Sequence, residues 1–324
     1  MVDPGEASRP RGGPADLVRQ WLGALARLLL FGVLFVALVE IVGLLTFTID
    51  ARGGWAVAKG GLIWLVSALV ASIIVMHTLD GRSWRALGVA PTADAMRQTG
   101  IGLAFGVAMI VAAVALMLLS GDLRWTSDDG TAIDAVATMG ASLAMLAPAA
   151  AAEEALFRGY PIQVLARAGG IPLAVLTTSA AFAAVHGQNP AVGSLALVNI
   201  FIAGVLLAVV YMRTNSLWAA TAVHLGWNWG MGGLFDLPVS GLAWIDVPAF
   251  EPWVTGPAWW NGGAFGPEGG LIGTLVFGAA VIYALRTPLL RPDPDAEPML
   301  CAAAEGEGRL DTSDPKTSRS ETRA

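Results

Sequence analysis

The chain has 324 residues, a formal net charge of −6, 55% hydrophobic residues and only 14% charged ones, where a soluble domain carries about 25%. That excludes a water-soluble globular fold, and three histidines with a lone cysteine, Cys301, exclude a zinc finger or a disulfide framework. Eight of the 25 carboxylates lie between Asp293 and Glu321, so the acidic balance says little about partners, and nothing in it points to nucleic acid.

Residues 1–20 are polar and interrupted by Pro4, Pro10 and Pro14, which predicts a disordered tail. The apolar run from Gly23 to Phe47 exceeds the roughly 7 to 15 residues of a signal-peptide core and predicts a retained membrane helix. Further runs at Gly61 to Met76, Thr99 to Leu119, Ala137 to Ala152, Ile171 to Val185, Gly193 to Met212, Leu217 to Leu234 and Gly270 to Leu285 bring the expectation to eight transmembrane helices. The fold class expected is an all-α polytopic bundle over residues 21–286, surrounded by membrane lipid. The fourth helix is expected to run on to Ala168 and stop at Gly169-Gly170.

With the amino terminus cytoplasmic, every Lys and Arg except Arg52, Lys59 and Arg124 falls on a cytoplasmic segment or the helix half beside it. Both termini are therefore expected in the cytoplasm, and a bacterial protein of this kind would sit in the plasma (inner) membrane. The connection from Leu237 to Glu268 has no Lys or Arg and carries Trp244, Trp253, Trp259 and Trp260. It reads as an interfacial aromatic belt, with a substrate-contacting lip as the alternative. Residues 287–324 are polar again and predict a second disordered cytoplasmic tail.

A charge at the centre of a membrane helix costs about 2.5 to 3.5 kcal/mol, so each needs a reason. Glu154 and Arg158 are one helical turn apart and can pair, while Glu153 is rotated about 100° away. An unpaired carboxylate in low dielectric suits general-base work, which makes Glu153 the candidate base; the alternative is a structural ion pair with a second glutamate at the surface. Phe182 precedes His186 by four residues and can pack beside its ring. His224 and Asn228 likewise share a face and suit donors to an oxyanion, or else an interhelical hydrogen bond. His77 reads as an ordinary core or interface histidine, and Glu40 is expected only to pair with a neighbour.

Glu-Glu-x-x-x-Arg at 153–158, Phe-x-x-x-His at 182–186 and His-x-x-x-Asn at 224–228, in this order, resemble the CPBP (Abi) family, which groups type-two CAAX prenyl proteases with bacteriocin-processing and immunity proteins. The lead-in Thr214-Asn215-Ser216-Leu217-Trp218 fits the same pattern, and a family core over about residues 99–236 follows. The resemblance implies an intramembrane peptidase acting on a peptide or protein, in some members lipidated. Glu153 would be the essential glutamate, His186 its partner on water, and His224 with Asn228 the carbonyl-polarising pair. Glu154, Arg158 and Phe182 would support them. A scaffold or immunity protein of the same fold is the alternative, and a proton-coupled transporter using Glu40 and Glu153 a more distant one. Glu153, His186 and His224 also offer the three ligands of a catalytic zinc; without a His-Glu-x-x-His helix, metal-free glutamate catalysis is the preferred expectation and no cofactor is firmly implied.

Overall fold

The computed structural model describes residues 13–292 and Glu297. Its long elements are α1 (Pro14–Leu45), α2 (Gly54–Asp80), α3 (Ala93–Leu119), α4 (Ala132–Arg158), α5 (Tyr160–Gly169), α6 (Ile171–Val185), α7 (Ser194–Thr214) and α8 (Leu217–Trp229). A short α9 (Ala258–Asn261) and α10 (Leu271–Arg286) close the chain, and two five-residue strands, β1 (Leu123–Ser127) and β2 (Phe250–Val254), pair antiparallel with Leu123 opposite Val254. The protein is an all-helical membrane bundle with one small ribbon at an end.

The eight apolar runs all fall on helices. Five spans are long and apolar enough to cross a membrane: α1, α2, α3, α4 continued through α5, and α7. The other three, α6, α8 and α10, have 15, 13 and 16 residues, about 20 to 24 Å at 1.5 Å per residue, and pack among their longer neighbours.

Three boundaries differ from expectation. Helix α1 starts at Pro14, inside the segment 1–20 read as a tail, because proline is preorganised at the first helical position and Asp16 Oδ2 accepts the Gly13 N–H at 3.1 Å. The fourth helix does not run unbroken to Ala168: it breaks at Gly159. Pro161 has no N–H for the ladder, and a Cβ at Gly159 would run into the Ala155 carbonyl oxygen. At the other end, residues 287–292 dock on the bundle, with Leu290 buried and Arg213 Nη2 donating to the Thr287 carbonyl at 2.9 Å. The rest of the tails, residues 1–12 and most of 293–324 with Cys301, lie outside the described residues.

Packing brings α4, α6 and α8 together. Helix α3 carries Gly102-x-x-x-Gly106 against Gly226 of α8; a Cβ at Gly106 would strike the Val223 carbonyl oxygen and one at Gly226 that of Leu103. Small residues let these two backbones touch, as membrane helix pairs require. Helix α1 is peripheral, burying only Ala24 and Phe31. Glu40 is exposed on it and, among the described residues, has no ion pair or hydrogen bond, so the neighbour expected for it is not there. At the end holding the α1 amino terminus, Asp80 accepts from Arg27 Nε at 2.8 Å and Arg167 Nη2 at 2.9 Å, tying α1, α2 and α5.

Candidate active site

Glu153 and Glu154 sit in the last turn and a half of α4, before the Gly159 break, and point in different directions as the helical period requires. Glu154 is fully buried. Its Oε1 accepts from Arg158 Nη1 at 3.1 Å and from His224 Nδ1 at 2.9 Å. Arg158, also fully buried, spends Nη2 on the Gly204 carbonyl at 3.1 Å, and its Cζ lies 4.4 Å from the Phe182 ring centroid. This ion pair clamps α4, α6, α7 and α8 around one point.

His186 caps α6. Its Nδ1 lies 2.7 Å from the Phe182 carbonyl oxygen, which can only accept, so Nδ1 carries the proton. Its ring centroid lies 4.7 Å from that of Phe182, and Phe182 also meets His224 edge-on at 5.9 Å. Phe182 thus holds both imidazoles. His224 is fixed similarly, since its Nδ1 donates to the Glu154 carboxylate. Both rings therefore turn Nε2 toward Glu153.

Glu153 Oε2 lies 3.9 Å from His186 Nε2 and 3.8 Å from His224 Nε2. Those gaps are too long for direct hydrogen bonds and suit a bridging water. The same oxygen is buried with no hydrogen-bond partner. Leaving a buried carboxylate oxygen unpaired is costly, so the gap is a place for a bound group that pairs with it. In kind, the three atoms also fit a divalent ion. For bonds of about 2.0 to 2.1 Å in a tetrahedral site, ligand atoms lie about 3.3 Å apart, so Glu153 would have to close by about 0.5 Å on each histidine.

Asn228, one turn beyond His224, lines an adjoining cavity with His186, His224 and Phe182. The space open to water centres is about 30 Å³, room for one or two waters. Its lining also holds two residues that the sequence reading did not place at the site, Ser240 and Glu268. Glu268 is 5% exposed although it ends the Trp-rich connection. That connection is therefore divided: Trp253 and Trp259 are exposed as a belt requires, whereas its end turns inward. A lone carboxylate directly before an apolar helix was the available signal. His77 is exposed at the end of α2 and takes no part.

A polytopic helical membrane protein with a glutamate, two histidines and an asparagine gathered inside the bundle is the class that fold and site define. The model of one family, described as type II CAAX prenyl endopeptidase Rce1-like, matches residues 135–230, a stretch that contains all three motifs. No curated protein and no solved structure matches the chain.

Proposed function

We propose that the chain is an intramembrane endopeptidase that hydrolyses a peptide bond of a membrane-associated or lipidated protein by glutamate-activated water. The observation that carries this reading is the unpartnered Glu153 Oε2 facing two imidazole Nε2 atoms at 3.8 and 3.9 Å. A water in that gap donates one hydrogen to Glu153 and the other to the His186 Nε2 lone pair. Glu153 takes its proton as the water oxygen attacks the scissile carbonyl carbon. The carbonyl oxygen gains the negative charge and accepts from the Asn228 amide and from His224 Nε2. His224 donates there when both its nitrogens carry protons, with Glu154 as its counter-charge. Glu153 then returns the proton to the leaving amine as the C–N bond breaks.

The donor set favours one variant of this reading. Both imidazoles have Nδ1 tied and Nε2 presented, as histidines of zinc sites do. A bound divalent ion would be held by Glu153, His186 and His224 and would supply Lewis-acid polarisation of the carbonyl. The charge distribution supports a cytoplasmic location for both termini and a cavity served from that side, in a plasma (inner) membrane if the protein is bacterial.

The test is cleavage of quenched fluorescent peptides, some carrying a farnesylated cysteine, by purified wild type beside Glu153→Gln, with and without chelator. Cleavage lost with the substitution supports the peptidase, and loss on chelation assigns the metal variant. A protein that cuts nothing while both forms still restore a cellular phenotype is a scaffold of the same fold.

A further inference from the structure

Helix α1 has 32 residues and so runs about 48 Å at 1.5 Å per residue, against about 30 Å of hydrocarbon in a bilayer. Its polar first turns, from Pro14 to Gln20, therefore stand at headgroup level. The end of α2 at Asp80 and the end of α5 at Gly169 lie beside them, with Gln20 Nε2 donating to the Arg167 carbonyl at 2.8 Å. The three ends do not close on one another. They leave a cleft of about 630 Å³, in the range of roughly 300 to 1,000 Å³ that small-molecule sites occupy.

Four arginines line the cleft, Arg19, Arg27, Arg82 and Arg167, against two aspartates, Asp16 and Asp80, an excess of two positive charges. One carboxylate, Asp80, serves both Arg27 and Arg167. Asp16 accepts the Gly13 N–H at its own helix end. Arg19 is exposed and, among the described residues, makes no ion pair, while Arg167 gives Asp80 one of its five donors. The rest of the wall is small or apolar, with Gly23, Ala24, Leu79, Val164 and Ala168, and on the outer side of α1 Leu22 and Leu25 are exposed. An anion with an apolar tail matches that combination, since the guanidinium groups take the charge and the outer leucines the tail. The phosphate diester of a phospholipid is such a group, and the charge distribution supports this end as the cytoplasmic one, where anionic lipids collect. We propose that the cleft binds the phosphate headgroup of an anionic phospholipid between α1, α2 and α5. The headgroup supplies the negative charge that the two aspartates leave unmatched, and it fastens to the bundle a helix that buries only Ala24 and Phe31.

The test uses the purified full chain in mixed micelles of detergent with phosphatidylglycerol or with phosphatidylcholine of the same acyl chains, reading retained lipid by native mass spectrometry and Tm by thermal unfolding. Wild type should retain phosphatidylglycerol over phosphatidylcholine by about tenfold or more, the scale of two surface charges, and melt higher with it. Arg19→Gln should cut that ratio by about fivefold, the contribution of one arginine, while Arg19→Lys keeps most of it. Because Arg19 is exposed, both variants should melt like wild type in phosphatidylcholine. Arg286→Gln removes an exposed arginine from the end of α10, on the same side of the bundle but outside the cleft, and should leave the ratio unchanged. Equal retention of the two lipids by wild type, a ratio unmoved by Arg19→Gln, or an equal fall with Arg286→Gln overturns the proposal. Inorganic phosphate that raises Tm in phosphatidylcholine as far as phosphatidylglycerol does would assign the cleft to a soluble phosphate and overturn it too.

Discussion

Replacing Glu154 by glutamine removes a charge from the interior and leaves the shape unchanged. Glu154 Oε1 accepts from Arg158 at 3.1 Å and His224 at 2.9 Å, and both members of the ion pair are 0% exposed. A glutamine carbonyl can keep both hydrogen bonds, so the substitution isolates the charge. Arg158 retains the Gly204 carbonyl and its seat over Phe182, but is then a buried cation without its partner. Breaking a buried pair in this way costs about 3 to 5 kcal/mol, and the retained contacts place this case near 3 kcal/mol. At about 2 to 4 °C per kcal/mol for a large domain, Tm should fall by about 6 to 12 °C. Thermal unfolding of the purified protein in detergent reads this directly. Adding Arg158→Met should recover most of the loss, since both charges then leave together. A Glu154→Gln protein that melts like wild type would refute the ion pair as the clamp of the four helices.

Glu153→Gln should behave oppositely: its Oε2 has no partner to lose, so melting should be unchanged while cleavage falls about a hundredfold or more. Asn228→Ala should lower kcat by about a hundredfold to a thousandfold with little change in KM, as read from full rate-against-concentration curves. Gly226→Ala puts a Cβ against the Leu103 carbonyl, and should cost about 1 to 3 kcal/mol in unfolding experiments and lower cleavage by shifting His224. Burial pushes the Asp236 carboxyl up to about 7 from an ordinary 3.8, helped by Asp246, Glu251 and Asp128. The folded protein then holds a proton that the unfolded chain has lost, so stability should fall as pH rises from about 4 to 7 and level off above. Melting measured from pH 5 to 8 should show that decline, and Asp236→Asn, which keeps the acceptor for the Val247 N–H, should flatten it.

Much of the bundle was legible because membrane burial imposes a composition on each helix and a length on each spanning one; all eight apolar runs obey the first and five obey the second. Pairings within a helix were legible for the same kind of reason, since one turn is a local property of the backbone: Glu154 with Arg158, and Phe182 with His186, meet as their spacing requires. The Gly159 break was written in the sequence as Pro161, but Gly169-Gly170 is the louder stop, and the helix end was assigned there alone. Glu40 shows the opposite error: a charge in an apolar helix suggested a partner, yet α1 is peripheral and its surface gives Glu40 none.

The sequence by itself determined which residues are candidates for chemistry, the helices they ride on and the faces they share. It did not determine how those faces converge. That His224 Nδ1 meets Glu154, so that both Nε2 atoms turn to Glu153, depends on how closely α4, α6 and α8 approach. Glycines at 102, 106 and 226 set how closely α3 meets α8, and Gly204 how closely α7 meets α6, through contacts between residues far apart in the chain. The inward turn of Glu268 was decided there too, because a loop residue is buried or exposed only by what the rest of the chain has already built around it.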